Sequence, residues 1–285
     1  MKNKPIVIGI GELLWDMLPT SKEAGGAPVN FAFHASQTGA DAYAISALGN
    51  DALGEELIHK LDENNIKYLI ERVDHPTGTV QVTLNKGIPQ YVINENVAWD
   101  YIPLTDKMKQ LASEADAISY GTLAQRSPVS RNTTIELLKL INADAYKLYD
   151  INLRQHFYSK ELIEESLKYA NSFKVNDEEI EVLKKMFSLN TENEQACRWF
   201  ISQFGLKLVI LTAGESHSSV YTSDESSTIM TPKVNVADTV GAGDCFSGVL
   251  ITSLLTGKNL KEAHNAAVNA AAHVCSRPGA WVAHI

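Results

Sequence analysis

Between residues 238 and 248 the chain reads Asp-Thr-Val-Gly-Ala-Gly-Asp-Cys-Phe-Ser-Gly, and an apolar helical stretch, 249–255, follows directly. Gly241, Ala242 and Gly243 carry little or no side chain, so the backbone can turn tightly there and present its N–H groups at a helix N-terminus. Such a terminus accepts an anion, because unpaired donors and the helix dipole both favour negative charge. Asp244 falls on the first turn. A carboxylate in that place most often serves as a cap or a first-turn acid. Beside an anion site it equally suits a general base that deprotonates an attacking hydroxyl in phosphoryl transfer. These residues alone leave both readings open. The usual nucleotide signatures are missing: no GxxxxGK[ST] occurs, and Gly9-Ile10-Gly11 has Leu14 where a dinucleotide fingerprint places its last glycine.

A turn of this kind needs a scaffold, and the rest of the chain supplies the pattern of one. Short β-branched runs at 5–10, 41–48, 117–120, 147–150, 172–175 and 208–211 alternate with amphipathic stretches at 29–38, 54–64, 130–142, 160–171 and 192–205. The alternation predicts a mostly parallel sheet covered by helices on both faces. Segments 13–18, 77–85 and 88–94 break the rhythm and read as strands joined by turns, with Lys86-Gly87 between the last two. They form either a small antiparallel sheet projecting as a lid or an extra hairpin on the sheet edge.

Composition narrows the function classes. With 285 residues, 45% of them hydrophobic, the chain can bury a large core. A net charge of −9 disfavours a protein that reads nucleic-acid backbones, which needs clustered Lys and Arg. Cys197, Cys245 and Cys275 are too scattered for a disulfide framework and point to a reducing compartment, the cytoplasm. No window of eighteen uninterrupted apolar residues argues for membrane insertion, and the start of the chain does not read as a secretory signal.

Together with Gly25-Gly26-Ala27-Pro28-Val29-Asn30, the 238–248 segment resembles the two signatures of the ribokinase-like (PfkB) carbohydrate kinase family. The likeness runs on through Gly11-Glu12-Leu13-Leu14-Trp15-Asp16, Gly39, Gly49-Asn50-Asp51, Asp150-Ile151-Asn152-Leu153-Arg154, Asn176-Asp177-Glu178-Glu179, Thr212-Ala213-Gly214 and Ser276-Arg277-Pro278-Gly279-Ala280. Matches in family order along nearly the whole chain are far more specific than any one of them. The fold implied is a three-layer α/β/α arrangement with a mostly parallel sheet, one domain over 1–285, and a small β-sheet lid formed by about 13–18 and 77–94.

The resemblance also implies roles, residue by residue. Asp244 matches the family's base, and Gly241, Ala242 and Gly243 its anion hole for the transferring γ-phosphoryl group. Asp16, Gly25, Gly26 and Asn30 match the sugar-binding positions; read without the family they would be a turn acid, a plain loop and a helix cap. Thr212 and Gly214 match a nucleotide-phosphate turn at a strand's carboxyl end. Asn176 and Glu179 match a motif associated with Mg²⁺ and phosphate, where Mg²⁺ keeps several waters and direct ligation is not expected; on pattern alone they open an acidic helix turn. Asn152 and Arg154 face the phosphates in this reading. A monovalent cation such as K⁺ would bind through carbonyls near Asp238, Val240 and the Gly279 loop. Asn269 falls one place away from where relatives put an adenine-side Asn, and Val268 stands there instead. The implied reaction is transfer from ATP to a sugar hydroxyl. The 121–131 and 150–154 segments look most like fructokinase members; ribose, 2-keto-3-deoxygluconate and nucleosides are the alternative acceptors. A sugar phosphate would need further cations, with Lys22, Arg72 and Lys86 available. A homodimer through the lid follows by analogy. A non-catalytic sugar or nucleotide sensor is the rival from another class.

Overall fold

The computed structural model describes residues 4–85 and 88–284, with the backbone alone over 82–91. In chain order the elements are β1 (Ile6–Ile10), β2 (Leu14–Met17), β3 (Lys22–Gly25), α1 (Ala27–Gln37), β4 (Asp41–Gly49), α2 (Ala52–Glu63), β5 (Lys67–Val73), β6 (Gly78–Asn85) and β7 (Ile88–Ile93). There follow α3 (Asp106–Glu114), β8 (Ala117–Gly121), α4 (Pro128–Leu140), β9 (Tyr146–Asp150), α5 (Lys160–Tyr169), β10 (Ser172–Asn176), α6 (Asp177–Met186) and α7 (Asn193–Phe204). Then come β11 (Leu208–Ala213), β12 (His217–Tyr221), β13 (Ser226–Met230), α8 (Ala242–Leu255) and α9 (Leu260–Cys275).

Among the described residues nine strands form the main sheet, in the order β13-β12-β11-β10-β9-β8-β1-β4-β5. From β11 to β5 every pairing is parallel, while β12 and β13 close one edge antiparallel. The central strands are apolar on both faces because helices cover both. Along β1, Val7 joins a core with Val29, Phe31, Leu57, Leu250 and Ala263 from α1, α2, α8 and α9. Its neighbours Ile8 and Ile10 point the other way, into a core with Met108, Leu137, Ile163, Ile180 and Phe200 from α3 to α7. Each of the large residues in these cores contributes roughly 1.5–3 kcal/mol by leaving water. The three-layer expectation is met.

The second, smaller sheet runs β3-β2-β6-β7. It is mixed, because β2 pairs β6 in parallel, where all-antiparallel pairing was expected. The parallel pair arises because the chain leaves after β3 to build α1, β4, α2 and β5 before returning at β6. The Lys86-Gly87 turn lies outside the described residues. Leu14, Val80 and Ile93 pack on Val97, Trp99, Leu123, Ala124 and Phe157, so this sheet has an apolar core of its own. Asp51 ties it to the main body: its carboxylate caps α2 by accepting from Gly54 N (2.8 Å) and also accepts from Thr77 N (2.8 Å) and Thr77 Oγ1 (2.7 Å). Among the described residues no helix is long and apolar enough to cross a membrane.

Candidate active site

β1 is flanked by β4 on one side and β8 on the other, and the chain runs outward from it in both directions. That reversal leaves a crevice at the strands' carboxyl ends, the usual ligand position of an open α/β sheet. The candidate residues gather there.

Gly241 is the N-cap of α8 and adopts φ 76°, ψ −5°, a left-handed conformation that glycine takes without strain. A Cβ on it would also lie 2.8 Å from the Ala280 Cβ, so the turn is pressed against the 279–281 segment. Cys245 N donates to Gly241 O (2.8 Å) and opens the helix. Ala242 N makes a long bond to Thr239 O (3.3 Å), while Gly243 N and Asp244 N have no acceptor among the described residues. Those two donors point out of the helix end, as an anion site requires.

Asp244 does not cap its own helix. Its Oδ2 accepts from Asn30 Nδ2 (2.8 Å), and Asn30 in turn accepts from Trp281 Nε1 through Oδ1 (2.8 Å), which fixes the orientation of the amide. Asn30 is 3% exposed on α1, so this alignment is rigid. Asp244 lies deep in the cleft yet remains partly accessible from it. Burial, with the nearby Asp150 charge, pushes its carboxyl up to about 6, against the opposing pull of Lys174, the Asn30 bond and Arg154.

Lys174 was not singled out from the sequence, nor was its partner Asp150 given a role. Lys174 Nζ donates to Asp150 Oδ2 (2.7 Å), both side chains being about nine-tenths buried. A Cβ on Gly243 would stand 3.2 Å from that Nζ, which places the ammonium under the anion turn. Burial opposes its charge, but the attraction of Asp150, Asp244 and Glu179 together outweighs burial and raises its pKa. The local signal was a lysine between Phe173 and Val175 in a strand buried over 172–175. Glu12 was also missed. It is 4% exposed, its Oε2 has no hydrogen-bond partner among the described residues, and burial pushes its carboxyl up to about 7, helped by Asp244.

The proposed sugar positions lie together on the small-sheet side. Gly26 has φ 135°, and a Cβ there would stand 2.2 Å from Glu12 O; no other residue fits. A Cβ on Gly25 would lie 2.9 Å from Asp16 Oδ2, so this glycine leaves room for the carboxylate. Asp16 is raised by burial, and Arg154 counters that. The exposed Arg154 guanidinium thus acts on Asp16, Glu12 and Asp244 alike, which sets it over the cleft. Asn152 precedes it with φ 39°, a left-handed turn that Asn tolerates better than most residues.

Asn176 and Glu179 form a capping box at the start of α6: Glu179 N donates to Asn176 Oδ1 (2.7 Å) and Asn176 N to Glu179 Oε2 (2.9 Å). Glu179 Oε1 accepts from Leu153 N (2.9 Å), so its second oxygen holds the loop that carries Asn152 and Arg154. Thr212 lies beside Asn176 across the β10–β11 pairing, and Gly214, at φ 49°, follows. They stand one strand further from Asp244 than the Lys174–Asp150 pair. Asp238 joins both halves of the predicted cation region: its Oδ1 accepts from Val240 N (3.0 Å) and its Oδ2 from Gly279 N (3.1 Å). On α9, Val268 is buried and Asn269 exposed.

Comparison with known proteins bears directly on this arrangement. The family model described as pfkB family carbohydrate kinase matches residues 13–283. An ATP-dependent 6-phosphofructokinase of Thermoanaerobacterium thermosaccharolyticum is 29% identical over 279 residues, covering 90% of this chain and 83% of that protein. A fructokinase of Solanum tuberosum is 27% identical over 274 residues, covering 90% and 83%. Among solved structures, an uncharacterized sugar kinase from Pyrococcus horikoshii in complex with ATP superposes with a TM-score of 0.80 at 27% identity, covering 97% of this chain and 94% of the other. With the match running almost from end to end, and through both the glycine pair before Asn30 and the turn before Asp244, the chain belongs to the pfkB family of carbohydrate kinases.

Proposed function

We propose that the protein transfers the γ-phosphoryl group of ATP to a primary hydroxyl of fructose. The observation that carries the reading is the Asn30–Asp244 bond, which turns the carboxylate away from its helix and toward the cleft beside the free amides of Gly243 and Asp244. Asp244 accepts the proton of the attacking hydroxyl, and a carboxyl near 6 is ionised at neutral pH while still basic enough to take it. The α8 N-terminus and Lys174 hold negative charge on the group being transferred. Asp16, Gly25, Gly26 and Asn30 orient the sugar, and Thr212 and Gly214 with the 152–154 loop receive the nucleotide.

Magnesium, when bound, neutralises the phosphates. Both Glu179 oxygens are engaged with backbone amides, so Glu179 fits a supporting place. Asp150 Oδ1, buried and without a hydrogen-bond partner among the described residues, fits a magnesium-bound water. The carbonyls around Asp238, Val240 and Gly279 would hold K⁺. The small sheet acts as the lid that excludes water, and its outer residues Leu18 and Val92 offer an apolar surface for a homodimer.

Fructose is favoured over a sugar phosphate because Lys22 and Arg72 are already paired, with Glu56 and Glu55 respectively. Lys86 lies outside the described residues. A coupled ADP-release assay with Mg-ATP tests the reading on D-fructose, D-ribose, 2-keto-3-deoxygluconate, adenosine, fructose 1-phosphate and fructose 6-phosphate, in K⁺ and in choline buffer. Fructose should give the highest kcat/KM. A higher value on another acceptor replaces the sugar and leaves the base in place. ATP binding without turnover on any acceptor overturns the kinase assignment in favour of a sensor.

A further inference from the structure

Next to Asp244 on α8, Cys245 meets two histidine side chains, and the phosphoryl-transfer chemistry uses none of the three. A ring nitrogen of His34, the Cys245 Sγ and a ring nitrogen of His284 all lie within 4.8 Å of one another. His34 and Cys245 are both fully buried. The His34 and His284 rings are stacked, with centroids 5.2 Å apart and planes 17° from parallel. His34 Nδ1 and His284 Nε2 are both buried and make no hydrogen bond among the described residues. A buried polar atom left unpaired costs about 1–3 kcal/mol, and two such atoms beside a thiol call for an explanation.

The hydrogen bonding selects the form of His34. Its Nε2 stands 2.9 Å from Ala280 O, and a carbonyl only accepts, so Nε2 carries the proton. A neutral imidazole then presents a bare lone pair on Nδ1. This is the arrangement of a metal-binding histidine, whose outer N–H is held by a backbone carbonyl. Burial keeps both imidazoles neutral, the form that ligates.

We propose that His34, Cys245 and His284 form a binding site for a thiophilic cation of the Zn²⁺ or Cu⁺ type. Two imidazoles and one thiolate suit both ions. On binding, the Cys245 S–H bond breaks, its proton goes to solvent, and Sγ and the two nitrogens donate to the ion. Ligand atoms around such an ion stand roughly 3.3–3.7 Å apart, so the set must close by about 1 Å. Within the 279–284 segment, residues 282–284 are the part that closes, since His284 is the ligand outside a helix. That segment also carries Ala280, packed on Gly241, and Trp281, which orients Asn30. An ion here therefore pins the support of the anion turn from behind.

The test uses the full chain, stripped with chelator under reducing conditions and titrated separately with Zn²⁺, with Cu⁺ under anaerobic conditions, and with Co²⁺ as a spectroscopic probe. One equivalent of Zn²⁺ or Cu⁺ should survive desalting by elemental analysis, the tighter of the two naming the ion, and its addition should raise Tm. His284→Ala should weaken binding at least about tenfold and abolish the Tm rise. Cys245→Ser should remove the near-ultraviolet thiolate-to-cobalt band. Substoichiometric metal with both ions, or binding unchanged in His284→Ala, overturns the proposal even if the buried Cys245→Ser protein does not fold.

Discussion

Two buried ion pairs lie against the two sheets of this protein, and they are finished to different degrees. At the base of the small sheet, Arg126 grips both oxygens of Asp100 (2.8 and 2.9 Å) and donates a third bond to Asn94 O (2.6 Å), with both side chains at most 7% exposed. Its guanidinium carbon stands 4.0 Å from the Trp99 ring centroid and 4.7 Å from that of Phe157. Only Nη1 lacks an acceptor among the described residues. Under the anion turn, Lys174 binds a single oxygen of Asp150 and leaves the other without a partner among the described residues, while the Asp244 and Glu179 carboxylates also act on the same ammonium. The first pair is bidentate and enclosed by aromatic faces, which makes it a fixture. The second leaves Asp150 Oδ1 without a partner among the described residues.

The largest effect is expected from Asp244→Asn. It keeps shape and the anion turn, so thermal unfolding should change little, while turnover should fall by roughly 10²–10⁴. Near-normal sugar phosphorylation by that variant would show that Asp244 is not the base. In the unaltered protein the same group should set the acid limb of kcat/KM: the rate should hold above about pH 6 and decline below it as Asp244 takes up its proton.

Lys174→Met and Arg126→Met should each cost about 3–5 kcal/mol in urea unfolding, since each strands a buried carboxylate. They should part company in kinetics. The Lys174 variant loses kcat, whereas the Arg126 variant, once saturated with sugar, keeps most of it and shows a raised KM. Equal loss of kcat in both would show that the two pairs do the same work.

Glu12 gives a smaller, pH-resolved effect. Its folded carboxyl titrates near 7, above the unfolded value of 4.5, so the native state holds the proton more tightly. Its contribution is fully present below about pH 4.5 and is lost as pH rises through 7. Glu12→Gln should therefore flatten the fall in Tm between pH 5 and pH 8. The smallest effect is expected from Lys22→Ala, which removes an exposed pair with Glu56 and should cost at most about 1 kcal/mol.

What the sequence disclosed follows the same division. The anion turn and the glycine pair before α1 were readable because tight backbone demands glycine locally, and Gly241 at φ 76° and Gly26 at φ 135° bear that demand. The central parallel strands were readable because burial on both faces makes them continuously apolar. Strands β3, β5, β12 and β13 escaped notice: they lie at or beside sheet edges, and their Lys, Glu and Ser residues look like loop. Lys174 and Glu12 escaped for another reason. The groups that act on them, Asp150 on Lys174 and Asp244 on Glu12, sit elsewhere along the chain, and no local pattern reports a meeting made in three dimensions. The parallel β2–β6 pairing likewise depends on where the chain returns, which neither strand encodes.

The bond between Asn30 and Asp244 spans 214 positions, that between Trp281 and Asn30 spans 251, and that between His34 and Ala280 spans 246. Contacts this distant close only after the intervening layers have condensed, because loop entropy must be overcome first. The geometry around Asp244 should thus be among the last features to form as the chain folds. During refolding from urea, secondary structure should return before activity, and a partly folded chain has no aligned carboxylate with which to spend ATP.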